Sequence, residues 1–183
     1  MNLATLPTRL FVLPLYRPPW LLLAATALGL ELTALYFQYV LELDPCVLCV
    51  YERTAVAGIF AAGLLGAIAP RVRLLRWSGL VLWGVSAGWG LLIAMQHVGI
   101  QLGELDLTCD YLPDFPAWAP LEQWWPEVFM PTGLCGDVQW VFAGLSMPQW
   151  MVVIYSLYLV VLAVVVAAGL AGSLRGWKGT PRT

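Results

Sequence analysis

Four long apolar windows constrain the fold of this chain more than any other feature. A transmembrane helix needs about 20 mostly apolar residues, and the windows 20–37, 50–69, 77–95 and 150–170 meet that requirement. The composition agrees, because 61% of the residues are hydrophobic and 11% are charged, whereas soluble proteins carry about 25% charged residues. We therefore predict an all-α membrane protein, a four-transmembrane-helix bundle in which residues 1–183 form a single domain.

The charged residues divide between the two sides of the predicted bundle. Every lysine and arginine except Arg53 lies on the side of the two termini, whereas acidic residues populate the links 38–49 and 96–149. Cytoplasmic loops carry the excess of lysine and arginine, so we expect a multi-pass protein with both termini in the cytoplasm and both links on the far side of the membrane. In a bacterium this is the inner membrane, and the far side is the periplasm, where disulfides persist. The predicted partners include the lipid bilayer and no nucleic acid. The predicted periplasmic side holds all the cysteines: Cys46, Cys49, Cys109 and Cys135.

The long link 96–149 is rich in proline and has no alternating strand pattern. Within it, five apolar residues have approximately helical spacing, which predicts a short amphipathic helix lying in the membrane interface. Tryptophan is enriched at that depth. A patch for binding a protein partner is the alternative interpretation. The five residues are Trp118, Leu121, Trp124, Trp125 and Val128.

Cys46 and Cys49 form a C-x-x-C pair where the first link enters the second apolar window. Two cysteines at this spacing can form a disulfide, bind a metal, or cycle between dithiol and disulfide. Arg53 follows one helical turn later, and a nearby cation favours the thiolate, which is the reactive form. The start of a helix adds a partial positive charge. The sequence therefore predicts a redox-reactive pair at the membrane surface.

Other interpretations of the cysteines remain open at this point. Four cysteines permit three pairings, of which sequence proximity favours 46 with 49 and 109 with 135. A zinc site of four thiolates is an alternative, but such sites usually use two close pairs, and Cys109 and Cys135 are 26 residues apart. We expect no bound metal. Structural disulfides are a further alternative, although a C-x-x-C pair closes too short a loop to add much stability.

Four segments follow one another in a specific order: Cys46-Val47-Leu48-Cys49 with Tyr51-Glu52-Arg53, Thr108-Cys109-Asp110, Gly133-Leu134-Cys135 and Met147-Pro148-Gln149-Trp150. These segments and their order resemble the bacterial disulfide bond formation protein B family, DsbB. The resemblance covers all four apolar windows and both links. The related vitamin K epoxide reductases have a similar bundle, but their membrane C-x-x-C follows the loop cysteines, whereas here it precedes them.

The resemblance implies an enzyme that reoxidises a soluble thioredoxin-like dithiol oxidase of the periplasm, DsbA, and passes the electrons to membrane quinone. It implies that Cys109 is attacked by the partner's thiolate, that Cys135 passes the electrons to Cys46, and that Cys49 faces the quinone. The quinone is either ubiquinone or menaquinone. Two alternatives stay open: a specialised family member that serves one dedicated partner, and a membrane scaffold whose disulfides brace its outer loops.

The resemblance also implies that two further residues contact the quinone. Arg53 is expected to stabilise the Cys49 thiolate and the reduced quinone. His97 is expected near the quinone, although a lone histidine at a helix end can equally be an interfacial polar residue. Glu52 is predicted to orient Arg53 or to face lipid headgroups. Glu31, an ionisable group at membrane depth, is predicted either to act in a relay or to be a protonated carboxyl bonded to a neighbouring helix.

Overall fold

The computed structural model describes residues 15–104 and 112–177, with side chains described as far as residue 169. Four helices in these ranges are long and apolar enough to cross a membrane, which confirms the predicted bundle. They are α1 (Arg17–Tyr39), α2 (Val47–Ile68), α3 (Arg73–Gln101) and α6 (Met147–Trp177). The link before α6 holds two single-turn helices, α4 (Leu121–Trp124) and α5 (Pro126–Phe129), and the strands β1 (Val141–Phe142) and β2 (Leu145–Ser146).

The helices extend beyond the apolar windows that predicted them. α1 includes Pro18 and Pro19 in its first turn, where the missing proline N–H is not needed for helical hydrogen bonding. α2 begins at Val47, so Cys49 lies in its first turn and not on the link. α3 continues to Gln101, so His97 lies inside a helix and not after one. Hydropathy marks the membrane-crossing part of a helix, whereas backbone hydrogen bonding continues into the interface.

The core of the bundle forms where small residues let the helices approach each other. α2 packs against α1 and α3, and α3 packs against α6. Trp20 is 2% exposed and lies against Gly66, whereas Ile59 and Tyr155 are fully buried. A methyl group added to Gly63 would lie 2.7 Å from the backbone nitrogen of Ala24. Glycine at these positions therefore sets the closeness of α1 and α2.

The outer link differs from prediction in the form of its helix. Instead of one amphipathic helix, α4 and α5 are separated at Trp125, whose φ and ψ of −139° and 70° are not helical. The following Pro126 explains the break, because proline disfavours the helical conformation of the residue before it. Trp118 and Trp124 are exposed, and the interfacial position of this segment stays a prediction.

A β-hairpin with strands of two residues each lies at the end of the link. The sequence did not predict it. β1 pairs antiparallel with β2, with Val141 opposite Ser146. Between the strands, Ala143 and Gly144 both have positive φ values of 51° and 81°, as tight hairpin turns require. The hairpin leads directly into α6.

Candidate functional site

The site is built around Cys46 and Cys49 at the start of α2. Cys46 is the N-cap residue, and its sulfur accepts a hydrogen bond from the Cys49 backbone N–H at 3.2 Å. The two sulfurs are 2.7 Å apart and both cysteines are free thiols. Cys46 is 1% exposed, whereas Cys49 is half-buried. The positive end of the α2 dipole favours thiolate at this position, so the structure brings together a pair suited to redox exchange.

The neighbouring thiol changes the acidity of Cys46. The hydrogen bond from Cys49 lowers the pKa of Cys46 below the ordinary cysteine value, although burial acts in the opposite direction. A lower pKa gives a larger thiolate fraction at neutral pH. Cys46 can therefore supply a thiolate when the pair is reduced.

His97 and Glu52 form a buried pair beside these sulfurs. His97 Nε2 lies 3.6 Å from Cys46 Sγ, and His97 Nδ1 lies 3.1 Å from Glu52 Oε1. The two residues are 3% and 5% exposed. The backbone carbonyl of Glu52 accepts a hydrogen bond from the Tyr155 hydroxyl at 2.7 Å. A carboxylate, an imidazole and a thiol therefore form one chain of contacts from α2 to α3 and back.

This arrangement corrects two interpretations of the sequence. Glu52 neither orients Arg53 nor faces headgroups, because it is buried and pairs with His97. His97 is not an interfacial polar residue, because it lies inside α3 beside Cys46. The sequence did contain one indication that Glu52 belongs to the cysteine site. Residues three apart share a helix face, and Glu52 follows Cys49 by three positions.

Arg53 connects three parts of the outer end of the bundle. It is 8% exposed. Its guanidinium donates to the Gln38 side chain at 2.5 Å, to the Val128 carbonyl at 3.0 Å and to the Ala34 carbonyl at 3.2 Å. These bonds tie α2 to the last turns of α1 and to α5. The family resemblance predicts that Arg53 contacts the quinone, and these bonds add a bracing role.

Cys135 is held against the C-x-x-C segment by its neighbours in the link. The backbone N–H groups of Thr132 and Gly133 donate to the Pro45 carbonyl at 2.8 and 3.0 Å. The Thr132 hydroxyl also donates to the Asp44 carboxylate at 2.9 Å. Cys135 is 1% exposed, is bonded in a disulfide, and packs in the same apolar cluster as Cys46. The structure therefore places Cys135 in the buried cluster that contains Cys46, whereas Cys109 lies outside the described residues.

A cavity of about 320 Å³ opens between α1, α2 and α6 beside the sulfurs. Its volume falls at the lower end of the range of about 300–1,000 Å³ for small-molecule sites. Most of its wall is apolar, and a few polar groups converge on it. The polar lining residues include Cys46, Cys49, Glu52, Arg53 and His97, and the apolar ones include Leu30, Phe37, Met151 and Ile154. The cavity can hold a small, mainly apolar molecule beside a redox-capable dithiol.

Comparisons with known proteins agree with the cysteine pattern. The family described as "DsbB: Disulfide bond formation protein DsbB" matches residues 16–165. A curated protein of Psychromonas ingrahamii is 57% identical over 140 residues, which is 76% of this chain and 76% of the relative. Proteins of Shewanella loihica and Aeromonas hydrophila are 50% and 53% identical, covering 84% and 85% of this chain and 91% and 90% of the relatives. All three relatives are named "Disulfide bond formation protein B".

Proposed function

This chain belongs to the disulfide bond formation protein B family, and we propose that it oxidises a DsbA-like thioredoxin-fold partner and passes the electrons to membrane quinone. The observation that carries the proposal is the free Cys46–Cys49 dithiol at the positive end of α2, on the wall of a mainly apolar cavity. The four apolar helices make it a multi-pass membrane protein. The one-sided distribution of cations supports an inner-membrane location with both termini in the cytoplasm.

The proposed path moves two electrons through two disulfide exchanges. A partner thiolate attacks the disulfide formed by Cys109 and Cys135, and the partner leaves as a disulfide. The Cys135 thiolate then attacks the disulfide of the C-x-x-C pair at Cys46, which forms a Cys135–Cys46 mixed disulfide and releases the Cys49 thiolate. The Cys109 thiolate attacks Cys135 in this mixed disulfide, which re-forms the disulfide of Cys109 and Cys135 and leaves both Cys46 and Cys49 reduced. The presence of Cys135 and Cys46 in one buried cluster supports this second exchange. Quinone supplies the acceptor for the two electrons and two protons released when Cys46 and Cys49 re-form their disulfide.

The residues around the cavity suit a quinone in size and polarity. A quinone ring is flat and apolar, with two carbonyl oxygens that accept hydrogen bonds. The cavity of about 320 Å³ has apolar walls from α1 and α6, and its lining includes the guanidinium donor Arg53 and the His97 ring. Either ubiquinone or menaquinone has these features. The Cys49 sulfur lies on the same wall and is the more exposed of the pair, which supports its assignment as the cysteine that faces the acceptor.

His97 is proposed to hold the proton of the Cys46 thiol. When His97 Nδ1–H donates to Glu52, the Nε2 lone pair faces the Cys46 sulfur. An imidazole oriented by a carboxylate is the usual arrangement for activating a cysteine. Transfer of the Cys46 thiol proton to His97 Nε2 leaves a Cys46 thiolate, which re-forms the disulfide with Cys49.

Turnover of a reduced partner tests the proposed reaction. Purified protein in detergent is mixed with reduced thioredoxin-fold oxidase and a soluble quinone, and the quinone absorbance is followed. We expect the wild-type protein to turn over and Cys46→Ser or Cys49→Ser to fall to the uncatalysed rate, because neither variant can close the acceptor disulfide. The control Val160→Ala, on the exposed face of α6, should keep wild-type rates. A folded wild-type protein that consumes no quinone would indicate a scaffold and contradict the proposal.

Trapping of a mixed disulfide tests the direction of electron flow. The partner carries only its attacking cysteine, so that the exchange stops after its first step. Cys135→Ser should accumulate a mixed disulfide through Cys109, whereas Cys109→Ser should accumulate little. Gel mobility without reductant measures both species. Equal trapping by the Cys109→Ser protein would reverse the assigned order.

A further inference from the structure

The reduced site combines three metal-binding atoms from two helices. The sulfurs of Cys46 and Cys49 and a ring nitrogen of His97 all lie within 4.8 Å of one another. Cys46 and His97 are buried, and Cys49 is half-buried. Two thiolates and one imidazole form a ligand set that zinc prefers, and three protein ligands leave a fourth position open for water. The adjoining cavity gives that position room.

The distances fit a tetrahedral ion after a small side-chain movement. With zinc bonds of about 2.3 Å to sulfur and about 2.0–2.1 Å to nitrogen, tetrahedral ligands lie about 3.6 Å apart for sulfur and nitrogen and about 3.8 Å apart for two sulfurs. The Cys46 sulfur already lies 3.6 Å from His97 Nε2. The two sulfurs are 2.7 Å apart and must separate by about 1 Å, which rotation of the half-buried Cys49 side chain permits.

The surroundings orient the ligands in the way that zinc sites require. His97 Nδ1 pairs with Glu52 at 3.1 Å, and donation to this carboxylate turns the Nε2 lone pair toward the Cys46 sulfur, 3.6 Å away. The His97 ring also contacts the Cys135 backbone. Carboxylate–histidine–zinc arrangements of this kind tune metal affinity. The Cys49 backbone N–H donates to the Cys46 sulfur, and the helix N-terminus favours the negative charge of the thiolates.

We propose that the reduced protein binds Zn²⁺ through Cys46, Cys49 and His97, with water in the fourth position. Binding forms two Zn–S bonds and one Zn–N bond, and the two thiol protons leave to solvent. This three-ligand site differs from the four-thiolate zinc site that the sequence left open as an alternative, because Cys135 is bonded in a disulfide. The disulfide form of the pair cannot bind, because neither sulfur is then a thiolate. Zn²⁺ therefore binds reversibly, and only when Cys46 and Cys49 are reduced.

Titration with Co²⁺, a spectroscopic probe for tetrahedral zinc sites, tests the proposal directly. Anaerobic reduced protein in detergent, carrying Cys109→Ser and Cys135→Ser so that the reductant exposes no other thiolate, should bind one equivalent, with thiolate-to-cobalt charge-transfer absorption and the visible bands of a tetrahedral ion. Added Zn²⁺ should remove both signals. Protein with the Cys46–Cys49 disulfide should give neither signal. Equal binding by the two redox forms, or absorption without thiolate character, would overturn the proposal.

Variants of the ligands and their neighbours separate this site from adventitious binding. His97→Ala should weaken Co²⁺ binding at least tenfold, and Glu52→Gln, which preserves side-chain shape, should weaken it about tenfold. Ile93→Ala truncates an apolar neighbour in the same cluster and should leave affinity unchanged. Unchanged affinity in Glu52→Gln would contradict the assigned orientation of His97, even if His97→Ala fails to fold.

Inhibition by zinc is a separate consequence that rests on the proposed function. The ion holds both electron-donating sulfurs, so Zn²⁺ should stop quinone reduction and a chelator should restore it. The Co²⁺ titration needs no partner or quinone. A positive titration without turnover would therefore retain the metal site and reject the proposed reaction, whereas turnover without Co²⁺ binding would do the reverse.

Discussion

The two helices α2 and α6 differ in a way that shows how this bundle is organised. The apolar window of α6 has a mean hydropathy of 2.7, yet only 6% of it is buried inside the protein. The window of α2 has a mean hydropathy of 1.5, and 56% of it is buried. In water the more apolar helix would be the more buried one. In a bilayer the lipid is as apolar as leucine, so apolarity gives no reason for a helix to be buried in protein.

The residues that distinguish α2 are small or polar. Gly63 and Gly66 allow α1 to approach, and Glu52 and Arg53 are buried with hydrogen-bond partners. Ionisable residues at membrane depth face the interior of a bundle because lipid cannot solvate them. The same two requirements, close packing and polar partners, place α2 at the centre and the cysteine pair at its outer end.

The largest difference between the helices should appear when glycine is replaced by alanine. A methyl group at Gly63 would lie 2.7 Å from a backbone atom of α1, whereas nothing lies within 4 Å of one at Gly169. Gly63→Ala should lower the free energy of unfolding by about 1–3 kcal/mol. Gly169→Ala should leave it unchanged or raise it by up to about 1 kcal/mol through helix propensity. Thermal unfolding in detergent measures both, and equal effects would show that α1 and α2 are not in close contact.

A second difference concerns Arg53, because residues 147–169 of α6, the part whose side chains are described, hold no charged residue. Arg53→Ala leaves the carbonyls of Ala34 and Val128 without this donor and should lower the free energy of unfolding by about 1–3 kcal/mol. If Arg53 also contacts the quinone, the apparent quinone KM should rise about tenfold. Chemical unfolding and quinone titration measure the two effects.

Arg53→Lys separates the two roles of this side chain. Lysine keeps the charge and loses the planar fork, so it cannot make all three of the bonds that Arg53 makes. The free energy of unfolding should fall by less than in Arg53→Ala, and the quinone KM should stay closer to the wild-type value. A KM that is unchanged in Arg53→Ala protein of full stability would remove Arg53 from both roles.

Local sequence patterns predicted the features that depend on one segment. The four spans follow from apolar length, and the redox-capable C-x-x-C follows from the spacing of Cys46 and Cys49. The start of α2 places these cysteines at a helix N-terminus, which the sequence also indicated. The role of Cys109 stays a prediction, because this residue lies outside the described ranges.

Features that depend on the rotation of one helix against another were missed. The pairing of Glu52 with His97 requires that one face of α2 meets one face of α3, and no residue pattern within either helix specifies that contact. The break at Trp125 follows from Pro126 and was available in the sequence. The hairpin turn could not be predicted from the sequence, because it places Ala143 at a positive φ that alanine rarely adopts.

The smallest effect is expected on the exposed face of α6. Val160 is 59% exposed and Val50 of α2 is fully buried, so the same valine-to-alanine change samples both environments. Val50→Ala leaves a void whose lining loses dispersion contacts and should lower the free energy of unfolding by about 1–3 kcal/mol. Beside Val160, fluid lipid or detergent chains fill the space, so Val160→Ala should change stability by no more than about 0.5 kcal/mol. Unfolding of both variants in one detergent gives the comparison. A larger loss at Val160 than at Val50 would mean that α6 is covered by protein, and burial inside one chain would then no longer explain the difference between the two helices.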